Sequence, residues 1–328
     1  LFVDKDNSPK NGNPYYFCEN FRESSCLMYF QSDFFYENSI KLLETVESLK
    51  PRKTLELGCY NGILLNYLAE LYAGEKFVGI DVEKKIVGFA NERFKRDNLD
   101  FITLDYKDIS KLNNKFDFIF SLFGIETIPN GIKFDTYKIR NNKNYLAKYK
   151  YFDNFFRLLK PVVEDNTNFL PLIRIAGLNS LLAFLDSGKK NNWSLKDNKI
   201  NFVKSGNIHR MNERIPSFLL QYNSEGNADE EIDLDNFFEI TKEYSDDDNL
   251  RNIYNYQENK TKFTDKIKED SIYYEDDGNT MRYEIYKNLG IYMMFLWATN
   301  GYSIYREFDN KNDLEESFTL YTKRYLDF

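Results

Sequence analysis

A glycine-bracketed turn between two apolar segments constrains the fold of this chain more than any other feature. Gly58 and Gly62 flank the turn, and the apolar run from Thr54 to Leu57 precedes it. Such a run predicts a buried parallel strand. Apolar residues at helical spacing follow the turn: Ile63, Leu64, Tyr67, Leu68 and Leu71. Doubly wound α/β folds open a nucleotide site in this way, because glycines let a ligand approach the backbone and a helix N-terminus presents free N–H groups.

A second buried strand is predicted over residues 76–81, and it ends in an acid. Asp81 lies 19 residues after Gly62. A carboxylate at the end of the second strand can accept hydrogen bonds from both hydroxyls of a ribose. The pattern therefore indicates a nucleoside ligand, NAD included. The alternative is that Asp81 caps a helix that begins near Glu83.

The spacing of the glycines distinguishes between nucleotide classes. A dinucleotide fingerprint needs G-x-G-x-x-G, whereas this loop carries Glu56-x-Gly58-x-Tyr60-x-Gly62. An acid two residues before the first glycine, with another glycine four residues after it, resembles motif I of the class I S-adenosylmethionine (SAM)-dependent methyltransferases. The family usually has glycine at the position of Tyr60, and a Cβ there restricts both φ and the approach of a ligand.

Three further segments resemble this family in its order and spacing, over residues 50 to about 175. A third strand is predicted from Leu99 towards Asp105, Phe116-Asp117 introduces a fourth, and Lys160-Pro161 precedes a fifth at 170–175. The resemblance implies an α/β fold with a Rossmann-like seven-stranded mixed sheet. It also implies the cofactor SAM, bound by these residues: Glu56, Gly58, Cys59, Tyr60, Gly62, Asp81, Val82, Asp105, Tyr106 and Ser121.

The resemblance assigns these residues to parts of the cofactor. Gly58, Cys59 and Tyr60 would approach the methionine part and Asp81 the ribose. Asp105 and its neighbour Tyr106 would meet the adenine. Glu56 would order the loop or meet the methionine amino group.

Two residues are candidates for catalysis, His209 and Glu126. Methyl transfer is an in-line displacement, so a base is needed only when the acceptor is protonated. His209 is the only histidine, its intrinsic pKa suits a base, and it follows a predicted sixth strand at 199–204. Glu126 follows the fourth strand. The alternatives are a structural histidine and a solvated glutamate at a helix start.

We expect three regions along the chain. Residues 1–47 form an aromatic-rich lid or helix, residues 48–225 the cofactor-binding core, and residues 226–328 an acidic, mostly helical appendage that ends in a helix near 314–326. A seventh strand is predicted at 215–222. The acidic triplet within the appendage, residues 246–248, is predicted to be a solvated loop, and no metal is expected.

The composition of the chain limits the kinds of partner and location that we expect. The net charge of −8 and the pI of about 5.1 make nucleic acid an unfavoured partner. The apolar stretch Leu289–Ala298 is too short to span a bilayer, so we expect a buried helix, with a dimer interface as the alternative. Three cysteines without a CxxC pair and no visible signal peptide favour a cytoplasmic location. The chain begins at Leu1 without methionine, so we expect it to be trimmed or to be part of a longer chain.

The function that we expect is methyl transfer from SAM to an oxygen or nitrogen of a small molecule or peptide. The segment after the fourth strand lacks the Asn/Asp-Pro-Pro-Tyr sequence of nucleic-acid base methylases. Two alternatives stay open: a SAM-binding module without catalysis, and an NAD-linked oxidoreductase. A homodimer through the appendage is a further possibility.

Overall fold

The computed structural model describes residues 33–122, 139–141, 143–172, 177–204, 214–226, 231–243, 249–275, 278–298 and 302–324. The chain divides into two compact units. The first comprises residues 1–127, 153–175 and 187–232, and the second comprises residues 128–152, 176–186 and 233–328. The second unit therefore takes two segments from within the predicted core as well as the C-terminal region.

The first unit is built on a seven-stranded mixed sheet, as the sequence predicted. The strands up to residue 232 are Lys53–Leu57 (β1), Lys76–Asp81 (β2), Leu99–Thr103 (β3), Phe116–Leu122 (β4), Val163–Leu172 (β5), Trp193–Leu195 (β6), Asn201–Lys204 (β7), Arg214–Ser217 (β8) and Leu220–Tyr222 (β9). The order in the sheet is β3-β2-β1-β4-β5-β9-β6. Strands β1 to β5 are parallel to one another, and β9 is antiparallel to both β5 and β6.

Helices alternate with these strands along the chain. Their bounds are Asp33–Leu49 (α1), Ile63–Leu71 (α2), Lys84–Arg93 (α3), Lys143–Leu159 (α4) and Leu178–Lys190 (α5). One face of the sheet, which carries Phe77, Phe118 and Phe120, packs against buried apolar residues of α1, α2 and α3. This core fixes α2 and the loop before it at the carboxyl edge of β1.

The outer strands of the sheet differ from the prediction. The segment predicted as strand six, 199–204, contains β7, which pairs with β8 in a separate two-stranded antiparallel sheet. The main sheet ends instead at β6, which has only three residues. The buried indole of Trp193 packs against the rings of Phe156, Phe169 and Tyr222. These ring contacts hold the short strand in place.

Strands five and seven also have different bounds from those predicted. The segment 215–222 is divided between β8 and β9, and β9 alone of the two joins the main sheet. Strand β5 begins at Val163 rather than Leu170. Its pairing with β4 shifts register between Phe116 and Phe118, and Asn166 adopts a left-handed conformation with φ 67°. Residues 163–169, which precede the predicted strand five, are therefore an irregular part of the observed strand.

The second unit contains a four-stranded antiparallel sheet, which corrects the prediction of a mostly helical appendage. Its strands, adjacent in chain order, are Asp265–Tyr274 (β10), Asn279–Asn288 (β11), Ile291–Ala298 (β12) and Ser303–Phe308 (β13). The helices of the C-terminal region are Leu234–Ile240 (α6), Asn249–Asn259 (α7) and Lys311–Arg324 (α8), and α8 confirms the predicted final helix. Within the described residues, no helix has the length and apolar character that crossing a membrane requires.

Residues 291–298 of the apolar stretch Leu289–Ala298 form strand β12, so the prediction of a buried helix was wrong. Asn288 pairs with Ile291 across a two-residue turn, in which Leu289 and Gly290 have φ values of 47° and 92°. Positive φ at both central residues is typical of the turns that match the twist of a hairpin. The turn therefore closes the β11–β12 hairpin and holds the stretch extended.

Helices cover both faces of this sheet. On one face, Tyr256 of α7 stacks on Phe295 of β12 with ring centroids 4.0 Å apart. On the other face, Leu314 of α8 joins Met294 in an apolar core. Strand β12 is consequently buried over residues 293–298.

Candidate functional site

The loop between β1 and α2 lies at the carboxyl edge of the main sheet and is held in an unusual backbone conformation. Gly58, Tyr60 and Gly62 have φ values of 75°, 49° and 73°. The amides of Gly58 and Cys59 both donate to the carbonyl of Ile80 in β2, at 2.9 Å. Gly62 caps α2 without a side-chain hydrogen bond. The loop is thereby tied to the neighbouring strand at its start and leads directly into a helix N-terminus.

Asp81 connects this loop to the end of β2. Its Oδ2 atom accepts a hydrogen bond from the amide of Tyr60 at 3.0 Å. Its Oδ1 atom accepts one from the amide of Glu83 at 3.0 Å. Each carboxylate oxygen has a second lone pair that can accept another hydrogen bond. Asp81 can therefore hold the loop and accept hydrogen bonds from a ligand at the same time.

Close packing between the loop and β2 requires a glycine in the strand. A Cβ atom built on Gly79 would lie 2.7 Å from the Cβ of Cys59 and 2.9 Å from its Sγ. Such distances are shorter than van der Waals contact, so a larger residue would push the loop away from the strand. Cys59 itself is buried, and burial raises the pKa of its thiol, as do the carboxyls of Glu56 and Asp81.

Two buried polar atoms at this edge have no hydrogen-bond partner among the described residues. They are Oε2 of Glu56, near the end of β1, and Nδ2 of Asn61, in the loop. Both residues are 2% exposed. Burial, and secondarily the carboxylate of Asp81, raise the pKa of Glu56 well above its ordinary value. Buried polar atoms are seldom left unpaired, so these two, which lie beside Asp81 and the loop, are candidates for contact with a ligand.

Asn61 was not among the predicted site residues. An asparagine between Tyr60 and Gly62 is an ordinary turn residue, and its Oδ1 atom accepts a hydrogen bond from the amide of Ile63 at 3.3 Å. The sequence carries no signal that its Nδ2 atom is buried. The fold alone reveals this.

The residues after β3 lie beside Asp81. The amide of Leu104 donates to the carbonyl of Asp81 at 2.9 Å. Oδ1 of the next residue, Asp105, accepts from the amide of Lys107 at 2.9 Å and caps a short 3₁₀ helix. The half-buried ring of Tyr106 meets the ring of Phe155 edge-on, with centroids 5.8 Å apart. Tyr106 thus packs on the core, which limits the ring face available for stacking on a base.

The last two predicted cofactor residues have contrasting environments. Val82 directly follows Asp81 and is 65% exposed. Ser121 is fully buried, and its Oγ donates to the carbonyl of Leu57 at 2.9 Å. Ser121 therefore joins β4 to the end of β1, and the hydrogen bond that it makes is structural.

The two catalytic candidates, His209 and Glu126, lie outside the described residues, as does the acidic triplet 246–248. The expected position of His209 at the site required a sixth strand of the main sheet before it. Strand β7, which lies in that segment, belongs to the two-stranded sheet, so nothing in the sheet supports that position. Within the described residues, no group of three or more His, Cys, Asp or Glu side chains is arranged to hold a metal ion.

Comparison with known proteins finds sequences similar to part of this chain. Residues 54–161 match the model of a family described as a methyltransferase domain. A curated relative, the candidate methyltransferase 235L of Invertebrate iridescent virus 6, is 28% identical over 99 residues. The matched stretch covers 30% of this chain and 36% of that protein, so the chain spans about a third of the length of the relative.

Solved structures include similar chains of low identity. The N-methyltransferase NodS from Bradyrhizobium japonicum, in complex with S-adenosyl-L-homocysteine, is 14% identical with a TM-score of 0.44, over 65% of this chain and 100% of that chain. TehB from Haemophilus influenzae is 15% identical with a TM-score of 0.36, over 56% of this chain and 62% of that chain.

The family match spans the site described above. It begins within β1, includes the glycine loop and Asp81, and ends at Pro161, before β5. The glycine loop, the mixed sheet with its reversed strand β9, and the match over residues 54–161 agree with one another. Residues 54–161 therefore match a methyltransferase domain, which implies S-adenosylmethionine as the cofactor.

Proposed function

We propose that the chain is a SAM-dependent methyltransferase that transfers a methyl group to an oxygen or nitrogen of a small molecule or peptide. The observation that carries this proposal is the hydrogen bond between Asp81 and the glycine loop, beside the buried Glu56. It assembles an acid, a left-handed loop and a helix N-terminus at one edge of the sheet. Bound SAM would supply an electrophilic methyl group on a sulfonium, so the work of the protein is alignment and exclusion of water.

The residues at this edge fit the cofactor. The unpaired atoms of Glu56 and Asn61 offer one acceptor and one donor, as an amino acid moiety with an ammonium and a carboxylate requires. Asp81 retains lone pairs for the ribose hydroxyls. The exposed Val82 offers an apolar surface for a base.

The class of acceptor is supported by charge and by sequence. The net charge of −8 disfavours a polyanionic acceptor, and the sequence after β4 lacks the motif of base methylases. Of the two candidates for a base, Glu126 follows the carboxyl end of β4 in the sequence. His209 follows β7, which is not a strand of the main sheet. Turnover of Glu126→Gln and His209→Ala would distinguish them, and we expect the larger loss in Glu126→Gln.

The cofactor is tested by calorimetric titration with SAM, S-adenosylhomocysteine and NAD. We expect the first two to bind, and NAD not to bind. Asp81→Ala should weaken binding by roughly tenfold to a hundredfold, because a hydrogen bond to a charged group is worth about 1.5–3 kcal/mol. Binding of NAD alone would overturn the proposal in favour of an oxidoreductase.

Asp117→Ala is a matched control, because Asp117 has the same kind of structural role at the opposite edge of the sheet. Its two carboxylate oxygens accept hydrogen bonds from the amides of Arg52 and Lys53, at 2.9 and 2.8 Å. We expect a loss of stability similar to that of Asp81→Ala without a loss of SAM affinity. Equal losses of affinity in both variants would show that Asp81 acts on the fold and not on the ligand.

A non-catalytic SAM-binding module is the second candidate, and one observation favours it. Tyr60 adopts a left-handed conformation, φ 49°, at the position where the family usually has glycine. Incubation with methyl-labelled SAM and a panel of hydroxyl, amine and peptide acceptors distinguishes the candidates. Labelled product supports the enzyme, and tight binding without any product supports the module.

A further inference from the structure

Glu56 is a buried carboxyl group in an apolar part of the sheet. Its direct partners across the neighbouring strands are Gly79 in β2 and Phe120 in β4, and neither offers a polar side chain. The residue is 2% exposed, and Oε2 has no hydrogen-bond partner among the described residues. An unpaired carboxylate is costly in such a place.

The described titratable groups around Glu56 are acidic. They are Asp81, at the end of β2, and the thiol of Cys59, in the loop. Asp81 accepts two backbone hydrogen bonds, from the amides of Tyr60 and Glu83. Among the described residues, no Lys or Arg side chain contributes a compensating charge at Glu56. A second negative charge beside Asp81 is therefore unfavourable, and burial acts in the same direction to raise the pKa of Glu56.

We infer that Glu56 holds a proton in the ligand-free protein and releases it to solvent when the α-ammonium group of the cofactor binds beside it, an inference that rests on the proposed function. The O–H bond of the carboxylic acid breaks, water takes the proton, and the carboxylate forms an ion pair with the ammonium. The cation supplies the compensating charge that Glu56 lacks. Glu56 thus acts as a positioning residue for the amino acid part of the cofactor.

Proton release is measured by calorimetry on the full chain in buffers with different enthalpies of ionisation. The titration is done near pH 6, because the α-amino group of a ligand stays protonated well below its ordinary pKa of about 8. S-adenosylhomocysteine and SAM should each release up to about one proton per molecule bound. 5′-Methylthioadenosine, which lacks the amino acid part, should bind with almost no release.

Glu56→Gln tests the assignment of the proton. A glutamine has the shape of a protonated glutamate, so we expect the variant to fold and to bind SAM without releasing a proton. Glu75→Gln is the matched control. Glu75 also has a buried, unpaired Oε2, and burial followed by Asp117 raises its pKa, but it precedes β2 at the opposite edge. We expect this control to release as many protons per bound ligand as the wild type.

The outcomes separate the inference from the proposed function. Equal release with S-adenosylhomocysteine and 5′-methylthioadenosine, or undiminished release in Glu56→Gln, overturns the inference while SAM binding itself stands. Failure of the wild type to bind SAM overturns the proposed function and the inference together. Should Glu56→Gln not fold, the comparison of the two ligands on the wild type decides.

Discussion

The ring of Phe101 in β3 lies against the backbone of Gly62, so that a Cβ atom built on this glycine would fall 2.4 Å from Cε1 and Cζ of the ring. Gly62 also has a left-handed backbone, φ 73°. The last residue of the loop between β1 and α2 is thus restricted to glycine for two independent reasons, one conformational and one steric.

Gly62→Ala should destabilise the protein by about 2–4 kcal/mol, since it combines left-handed strain with overpacking against Phe101. Gly88→Ala is the control, because Gly88 is exposed in α3 and a Cβ there meets nothing within 4 Å. Alanine favours helix, so we expect a gain of about 0.5–1 kcal/mol there. Denaturant unfolding measures both, and an equal effect of the two substitutions would contradict the close packing.

In the second unit, Asp186 pairs with Arg140 through two hydrogen bonds of 2.8 and 3.2 Å. The hydroxyl of Tyr145 also donates to this carboxylate, at 2.6 Å. The Asp186 side chain is only 2% exposed. Asp186→Ala should therefore cost about 3–5 kcal/mol, because it removes the carboxylate partner of a partly buried guanidinium.

Tyr145→Phe is the graded comparison for this cluster. It removes one hydrogen bond and leaves the ion pair intact, so we expect a loss of about 0.5–1.5 kcal/mol. Thermal unfolding of both variants gives the order of the losses. A loss in Tyr145→Phe as large as that in Asp186→Ala would show that the ion pair contributes little.

Glu284 in β11 is buried beneath two tyrosine hydroxyls and a lysine. Burial alone would raise its pKa, but hydrogen bonds from Tyr256 and Tyr286 and the charges of Lys260 and Lys266 lower the pKa below its ordinary value. The native state therefore binds this proton less readily than the unfolded chain. The stabilisation is complete above the ordinary glutamate pKa and is lost as the pH falls through the lowered one.

Glu284→Gln should lower the stability by about 1.5–3 kcal/mol at neutral pH, since it removes charge-assisted hydrogen bonds. It should also flatten the acid side of the profile of stability against pH. Urea unfolding over a range of pH measures both effects. A parallel displacement of the whole profile, without flattening, would contradict the assignment to Glu284.

Glu56 should have a pH dependence of the opposite sign. Its pKa is raised by burial first and by Asp81 second, so the native state binds the proton more readily than the unfolded chain. Stability should fall as the pH rises from the ordinary glutamate pKa to the raised one, and then level off. Glu56→Gln should not show this decline, and unfolding of the ligand-free protein over the same pH range measures the difference. A profile unchanged by the substitution would be inconsistent with a protonated Glu56.

The sequence predicted well those elements whose ends are marked by residues of restricted or special conformation. Gly58 and Gly62 mark the turn, and Asp81 marks the end of β2, so β1, α2 and β2 follow directly. Strand β6 has three residues, too few for any period, and it is held by ring contacts of Trp193 that depend on distant segments. The pattern of apolar residues along a short segment does not predict such contacts.

The stretch Leu289–Ala298 was misassigned for a different reason. A continuous apolar run has no period, so a buried strand and a buried helix look alike in sequence. The turn residues Asn288, Leu289 and Gly290 were the available signal for a hairpin. At the site, the sequence likewise did not predict the burial of Asn61, because that burial depends on the packing of the whole loop.

Strand β12, hydrogen-bonded on both edges and covered by α7 and α8, has a consequence for exchange with solvent. Its amides between β11 and β13 can exchange with deuterium only when the surrounding sheet and helices open together. Deuterium uptake followed by mass spectrometry should therefore be slowest over residues 293–296, at a rate set by cooperative unfolding of the sheet. The stretch that in sequence resembles a short buried helix would then be the most stable part of its unit. Its amides would be the last to lose protection from exchange.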